Sequence, residues 1–174
     1  MKSVIFVGVV LGCLFATSVF GTPMTEIQYV TNDLGSDQWE YIYTVENISL
    51  AAGIEEFTVW FDFGLYDNLV VSTPETPPEW DQIVWQVEPV LEDPGGYDAV
   101  ATNLSINIGE SLSGFSVSFD WLGVGDPGSQ YYEIIDPITF NTIEDGYTVP
   151  EPASAVMLGL GGVLVVLRRV RRQA

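Results

Sequence analysis

The sequence predicts an all-β protein, an antiparallel β-sandwich of immunoglobulin-like or jelly-roll type. It is flanked by an N-terminal signal peptide and a C-terminal transmembrane helix. Three observations carry this. Apolar and aromatic residues in the middle of the chain recur at every second position, the period of a half-buried strand and not of a helix. Clusters of Pro, Gly and Asp punctuate these runs at short intervals. Both ends carry a long apolar run beside cationic residues, and those ends hold all five Lys and Arg of the 174-residue chain.

From the N-terminus, Lys2 precedes the apolar stretch Val4 to Ala16, and Val19-Phe20-Gly21 places small or tolerated side chains before Thr22. This is the pattern of a secretory signal at 1–21, cut between Gly21 and Thr22. The only cysteine, Cys13, lies inside that apolar run. The mature domain then has no thiol, so cysteine usage says nothing of compartment. Strands follow where Trp39, Tyr41, Tyr43 and Val45 alternate with Glu40, Ile42, Thr44 and Glu46, and where Phe57, Val59, Phe61 and Phe63 alternate with Thr58, Trp60 and Asp62. Further alternations run over Ile83-Trp85-Val87, Leu104-Ile106-Ile108 and Phe115-Val117-Phe119-Trp121. Short strands are expected at Tyr131 to Ile135 and at Ile138 to Ile143, on either side of Asp136-Pro137. β-Branched and aromatic residues dominate these runs, as a pleated, half-buried surface favours. Ala52-Gly53, Thr73-Pro74, Pro77-Pro78, Asp93-Pro94-Gly95-Gly96, Gly109-Glu110 and Asp126-Pro127-Gly128 read as turns between them. The stretch Ile143 to Pro150 reads as a linker.

Charge excludes whole classes of function. The chain holds 24 Asp+Glu, 5 Lys+Arg and no His, for a net charge of −19. Between Thr22 and Val149 there is no Lys, Arg or His at all. Binding to nucleic-acid phosphates is therefore excluded, since it requires Lys or Arg. The same absence removes histidine general bases, Ser-His and Cys-His nucleophiles, and Schiff-base lysines. No catalytic residue and no metal-ligand set is assigned, and no cofactor is expected. Most carboxylates should be solvent-facing, and their crowding is expected to raise many of their folded pKa values.

The C-terminus has three parts in order. Pro150-Glu151-Pro152 leads into the uncharged run Ala153 to Leu167, which is followed by Arg168, Arg169, Arg171 and Arg172. The arginine cluster stops transfer and holds its end in the cytoplasm, with the acidic domain across the membrane. Fifteen residues of helix reach only ~22 Å at ~1.5 Å per residue, against a hydrocarbon core of ~30 Å. Such a span is marginal as a permanent tether. Pro152 lacks an amide donor and disfavours helix at Glu151, which keeps the motif extended.

This tripartite tail resembles the PEP-CTERM sorting signal of Gram-negative bacteria. The resemblance implies recognition by a membrane-embedded exosortase, export through the Sec translocon, and transient residence in the inner membrane. It further implies processing at Pro150, Glu151 and Pro152, delivery to the cell surface or matrix, and association with exopolysaccharide and biofilm. A simple C-terminal anchor with a Pro-rich stalk is the other reading of the tail. The segments Phe115 to Trp121, Asp126 to Gln130, Asp136 to Phe140 and Gly146 to Pro150 are similar to the distal half of many PEP-CTERM proteins of unknown activity. The implied organisation is a signal peptide at 1–21, an acidic sandwich at 22–146 and a sorting tail at 147–174. The overall reading is an exported, non-enzymatic surface or matrix protein, with a carbohydrate- or calcium-binding adhesion module as the alternative.

Candidate sites follow from the acids and the tryptophans. Glu92-Asp93 with Asp98, and Asp120 with Asp126, offer oxygens that Ca²⁺ favours, although no EF-hand spacing is present. Two carboxylates suffice for glycoside hydrolysis, but the spacing of Glu40, Glu46, Asp62, Glu88 and Asp120 selects no converging pair. Trp39, Trp60 and Trp80 are candidates for a sugar-stacking platform, with Trp60 first because it lies opposite the apolar face of its own strand. Asn47-Ile48-Ser49 and Asn103-Leu104-Ser105 match the glycosylation sequon, a chance match in bacterial export.

Overall fold

The computed structural model describes residues 22–73 and 76–152. The signal segment 1–21 with Cys13, the tail 153–174 with its apolar run, and Arg168, Arg169, Arg171 and Arg172 lie outside the described residues.

Ten strands form two five-stranded sheets. They are β1 (Thr25–Gly35), β2 (Gln38–Asn47), β3 (Glu56–Phe61), β4 (Tyr66–Val71), β5 (Trp80–Trp85), β6 (Gly95–Ala101), β7 (Ser111–Trp121), β8 (Tyr131–Ile135), β9 (Thr142–Tyr147) and β10 (Val149–Pro150). The first sheet has the order β10-β1-β2-β7-β4 and the second β5-β6-β3-β8-β9. Every pairing is antiparallel except β1 with β10, which run parallel. No described segment is helical.

The two sheets pack face to face through aromatic rings, as the alternation predicts. Tyr41, Tyr43 and Val45 of β2 and Phe115, Val117 and Phe119 of β7 are buried from one side. Phe57, Val59 and Phe61 of β3, Tyr97 of β6, and Tyr132 and Ile134 of β8 are buried from the other. Phe57 meets Phe115 edge-on at 4.9 Å across the interface, and Tyr43 lies 6.0 Å from Tyr97. Offset and edge-on rings of this kind add to what their buried area contributes.

β2, β3, β7 and β8 fall where period two places them, although Phe63 lies beyond β3 and is exposed. β5 is a strand of the opposite phase: Trp80 and Gln82 are buried, while Ile83 and Trp85 of the expected apolar face point out. The run at Leu104–Ile108 does not extend into a strand. Ile106 instead makes an isolated bridge to Ile54, exchanging N–H···O bonds of 2.9 and 3.0 Å. Ile138 to Asn141 is a turn, because the Asp136 carboxylate accepts the amides of Ile138 and Thr139 at 2.8 and 3.1 Å. β9 consequently starts at Thr142.

The expected linker Ile143 to Pro150 is not a linker. Most of it is β9, paired with β8, and the rest is β10, paired with β1, so the sandwich runs on past residue 146. Gly95 and Gly96 belong to β6 and not to a turn. A Cβ at Gly95 would meet Leu69 at 2.7 Å, and one at Gly96 would meet the Trp85 ring at 2.1 Å. Both positions are glycine because a side chain already fills the space above them.

Candidate functional site

The outer face of the second sheet is the part of the surface with chemistry to offer. Phe57, Val59 and Phe61 point inward, so Thr58 and Trp60 of β3 point out. Register carries this face across the sheet. Trp60 pairs with Gly96 of β6, and Gly96 pairs with Trp85 of β5. Continuing the Val59–Tyr132 register by one residue sets Tyr131 of β8 opposite Trp60, and Tyr131 pairs with Tyr147 of β9. Trp85, Gly96, Trp60, Tyr131 and Tyr147 therefore form one row across all five strands.

The rings touch. Trp60 and Trp85 meet at 5.5 Å with planes inclined by 71°, over the bare backbone of Gly96. Tyr131 and Tyr147 meet at 5.6 Å with an inclination of 63°. Tyr147 is 69% exposed and Trp85 36%, while Trp60 and Tyr131 are half-buried.

A polar row lies one pleat below the aromatic one. Asp98 of β6 pairs with Thr58, Thr58 with Glu133 of β8, and Glu133 with Asp145 of β9. The Trp60 indole N–H donates to Glu133 Oε2 at 2.8 Å, and the Thr142 hydroxyl donates to Glu133 Oε1 at 2.7 Å. These bonds fix the orientation of the Trp60 ring. Burial raises the Asp98 carboxyl above its ordinary pKa, with Asp81 adding to the effect and the 2.7 Å bond from Thr58 Oγ1 opposing it. Burial, then the hydrogen bond to Asp145 and the charges of Asp145 and Glu133, push the Tyr131 phenol up.

Of the three tryptophans read as a platform, only Trp60 is on this face. Trp80 faces the core. It opens β5 and is buried in the core against Phe57 and Phe115, at 5.9 and 5.2 Å. Trp39 lies on β2, in the other sheet, half-buried against the core. Sequence reasoning placed Trp85 in a strand but missed it for the site, along with Tyr131 and Tyr147. No local signal marks them: Trp85 stands within the apolar alternation Ile83-Trp85-Val87, and Tyr147 stands in the expected linker.

The acidic candidates do not converge. Asp98 is in β6, whereas Glu92 and Asp93 lie in the β5–β6 loop. Asp120 accepts from Asn68 Nδ2 at 2.6 Å, and no bond joins it to Asp126. Among the described residues no group of three His, Cys, Asp or Glu is placed to hold a metal ion. Burial alone would raise the Glu40 pKa, but the hydroxyls of Ser116 and Ser72, at 2.7 and 2.9 Å, and the Asn32 amide together hold it below the usual value. Glu40 and Asp120 thus turn to different partners. Glu46 lies at the far end of β2, and Asp62 and Glu88 are in loops.

Crowding does not govern the carboxylates as expected. Glu56 and Asp98 are raised, with burial as the first cause in both, while Glu110 and Asp136 are lowered by backbone hydrogen bonds. Asn47 is fully buried, and Asn103 is exposed.

The Pro150-Glu151-Pro152 segment is extended and docked on the other sheet. Pro150 pairs with Tyr29, the Glu151 amide donates to the Tyr29 carbonyl at 2.9 Å, and Thr44 Oγ1 donates to Glu151 Oε1 at 3.1 Å. Pro152 is exposed. At the N-terminal side, Thr22 is exposed and β1 begins three residues later.

No protein-family model matches the chain, and no curated protein does. Among solved structures, a cohesin module from a Clostridium perfringens family 33 glycoside hydrolase is 12% identical, with 74% of this chain and 98% of that one covered at a TM-score of 0.43. A family 3b carbohydrate-binding module from Clostridium clariflavum is 10% identical over 57% of this chain and 72% of that one, at 0.40. A family 20 exo-β-N-acetylglucosaminidase from Vibrio harveyi is 8% identical over 74% of this chain and 18% of that one, at 0.38. Likenesses at this level assign neither a family nor a ligand to this chain.

Proposed function

We propose that this chain is an exported, non-enzymatic protein of the cell surface or extracellular matrix. Segment 1–21 takes it through the Sec translocon, and a PEP-CTERM-like tail hands it to an exosortase at the inner membrane of a Gram-negative cell. The observation that carries the reading is the sequence of three parts in the tail: Pro150-Glu151-Pro152, an uncharged fifteen-residue run, and four arginines. Within the described residues the motif is extended, with Glu151 bonded to β1 and β2. Mass spectrometry of the exported protein tests it. Thr22 is the expected first residue and cleavage at or beside Pro150-Glu151-Pro152 the expected end. Glu151→Ala, or Gln at all four arginines, should leave full-length protein in the inner membrane. Wild-type protein recovered from membranes with Arg171 and Arg172 attached, in a host with active exosortase, rejects the reading in favour of a simple anchor.

Of the alternatives, the aromatic row on the second sheet favours a carbohydrate-binding module. The scattered acids give calcium no comparable support.

A further inference from the structure

We infer that the row Trp85–Trp60–Tyr131–Tyr147 binds a single, uncharged polysaccharide chain laid across the strands of the second sheet. This deepens the carbohydrate-binding reading and does not depend on the sorting of the tail.

The row is long enough for such a ligand. From β5 to β9 there are four inter-strand steps of ~4.8 Å, roughly 19 Å in all. The apolar C–H face of a pyranose ring complements the electron-rich face of Trp or Tyr, and rings about one sugar apart, as Trp85 and Trp60 at 5.5 Å and Tyr131 and Tyr147 at 5.6 Å, meet successive sugars. The platform is built and not incidental in shape. Gly96 leaves the space that Trp85 occupies, since a Cβ there would lie 2.1 Å from the ring. Glu133 anchors the Trp60 indole at 2.8 Å.

Charge selects the ligand further. Glu133 and Asp145 run alongside the rings, and no Lys, Arg or His lies among the described residues to offset them. An anionic polysaccharide is repelled from such a face. A neutral chain instead donates its hydroxyls to the carboxylates beside the rings. The inclinations of 71° and 63° decide the physical form. Rings set that steeply make no flat bed for a crystalline surface, but they can follow one twisting chain.

Calorimetry on the purified full-length protein provides the test, with cellohexaose and N-acetylchitohexaose as neutral probes and an alginate hexamer as the anionic one. At least one neutral probe should bind and the alginate should not. Trp85→Ala and Tyr147→Ala should each weaken binding about tenfold, the scale of one ring face withdrawn from the ligand. Thermal melting checks each variant. Tyr147 is largely exposed on an edge strand, so its variant keeps the test open if Trp85→Ala fails to fold. Neutral binding that both variants leave intact overturns this site while keeping the carbohydrate reading. Tighter binding to alginate or to crystalline cellulose overturns the ligand class. No glycan bound at all overturns both the site and the broader reading.

Discussion

Gln130 and Thr148 hold each other three times, the Thr148 hydroxyl donating to Gln130 Oε1 at 3.2 Å. The Gln130 amide donates to Thr148 Oγ1 at 2.9 Å, and the Thr148 amide donates to the Gln130 carbonyl at 2.8 Å. Both residues are buried. Thr148 stands between β9 and β10, where the chain leaves the second sheet for the first. This clasp makes the last stretch before Pro150 part of the fold. The Gln130 side chain continues it inward, accepting from Tyr43 and donating to the hydroxyls of Tyr41 and Tyr66.

Thr148→Val keeps the shape and removes the hydroxyl, leaving the Gln130 amide buried without its acceptor. Such a loss costs about 1–3 kcal/mol. Urea unfolding should show a lower midpoint with an unchanged slope, and an unchanged midpoint would mean that the clasp contributes nothing.

Asn47 is a second buried joint. Its Nδ2 donates to the carbonyls of Leu50, Ala52 and Ile106, and its Oδ1 accepts the Leu50 amide. Asn47→Ala strands several backbone groups at once, so a destabilisation of about 3 kcal/mol or more is expected. Asn47→Asp should be about as damaging, because it puts a carboxylate against three carbonyls. The folded domain should also resist glycan transfer to Asn47, while Asn103 remains reachable.

Trp80 is buried with its indole N–H unpartnered among the described residues. Its ring packing has to outweigh that cost. Trp80→Phe removes the orphan donor together with part of the ring, so the two effects oppose and the net change should stay within about 1 kcal/mol. Trp80→Ala should lose about 3–5 kcal/mol. Denaturant midpoints for the pair distinguish a packing role from a hydrogen-bonding one.

Stability should peak on the acid side of neutral. Asp98 and Glu56 have raised folded pKa values, so the folded state binds protons more readily than the unfolded chain does. Their destabilisation is full at neutral pH and is relieved as pH falls through those raised values. Glu40, Glu110 and Asp136 are lowered, and their contribution is lost only as pH falls through the depressed values, below an ordinary carboxylate pKa of ~4. The melting temperature should therefore rise from pH ~7 toward ~5 and drop at lower pH. Asp98→Asn should flatten the neutral side of that curve. A steady fall from pH ~7 to ~5 in the wild type would contradict the assignment.

The residues by themselves determine the all-β class, the inward faces of β2, β3 and β7, and an acidic surface with no cation to pair it. Alternation reports burial on one strand's own two faces, and these strands alternate cleanly. The structure alone decides β1, β4, β6 and β10. Beyond Ile27, β1 is half-buried or exposed; β4 carries a bulge at Asn68; β6 opens with two glycines; and β10 is two residues long. Their signals lie below what local pattern can register. The aromatic row belongs to the same category. Trp60, Trp85, Tyr131 and Tyr147 come from four strands that become neighbours only through the order β5-β6-β3-β8-β9. Local propensity can say that Trp60 faces away from its own core, but which rings stand beside it is settled by long-range pairing.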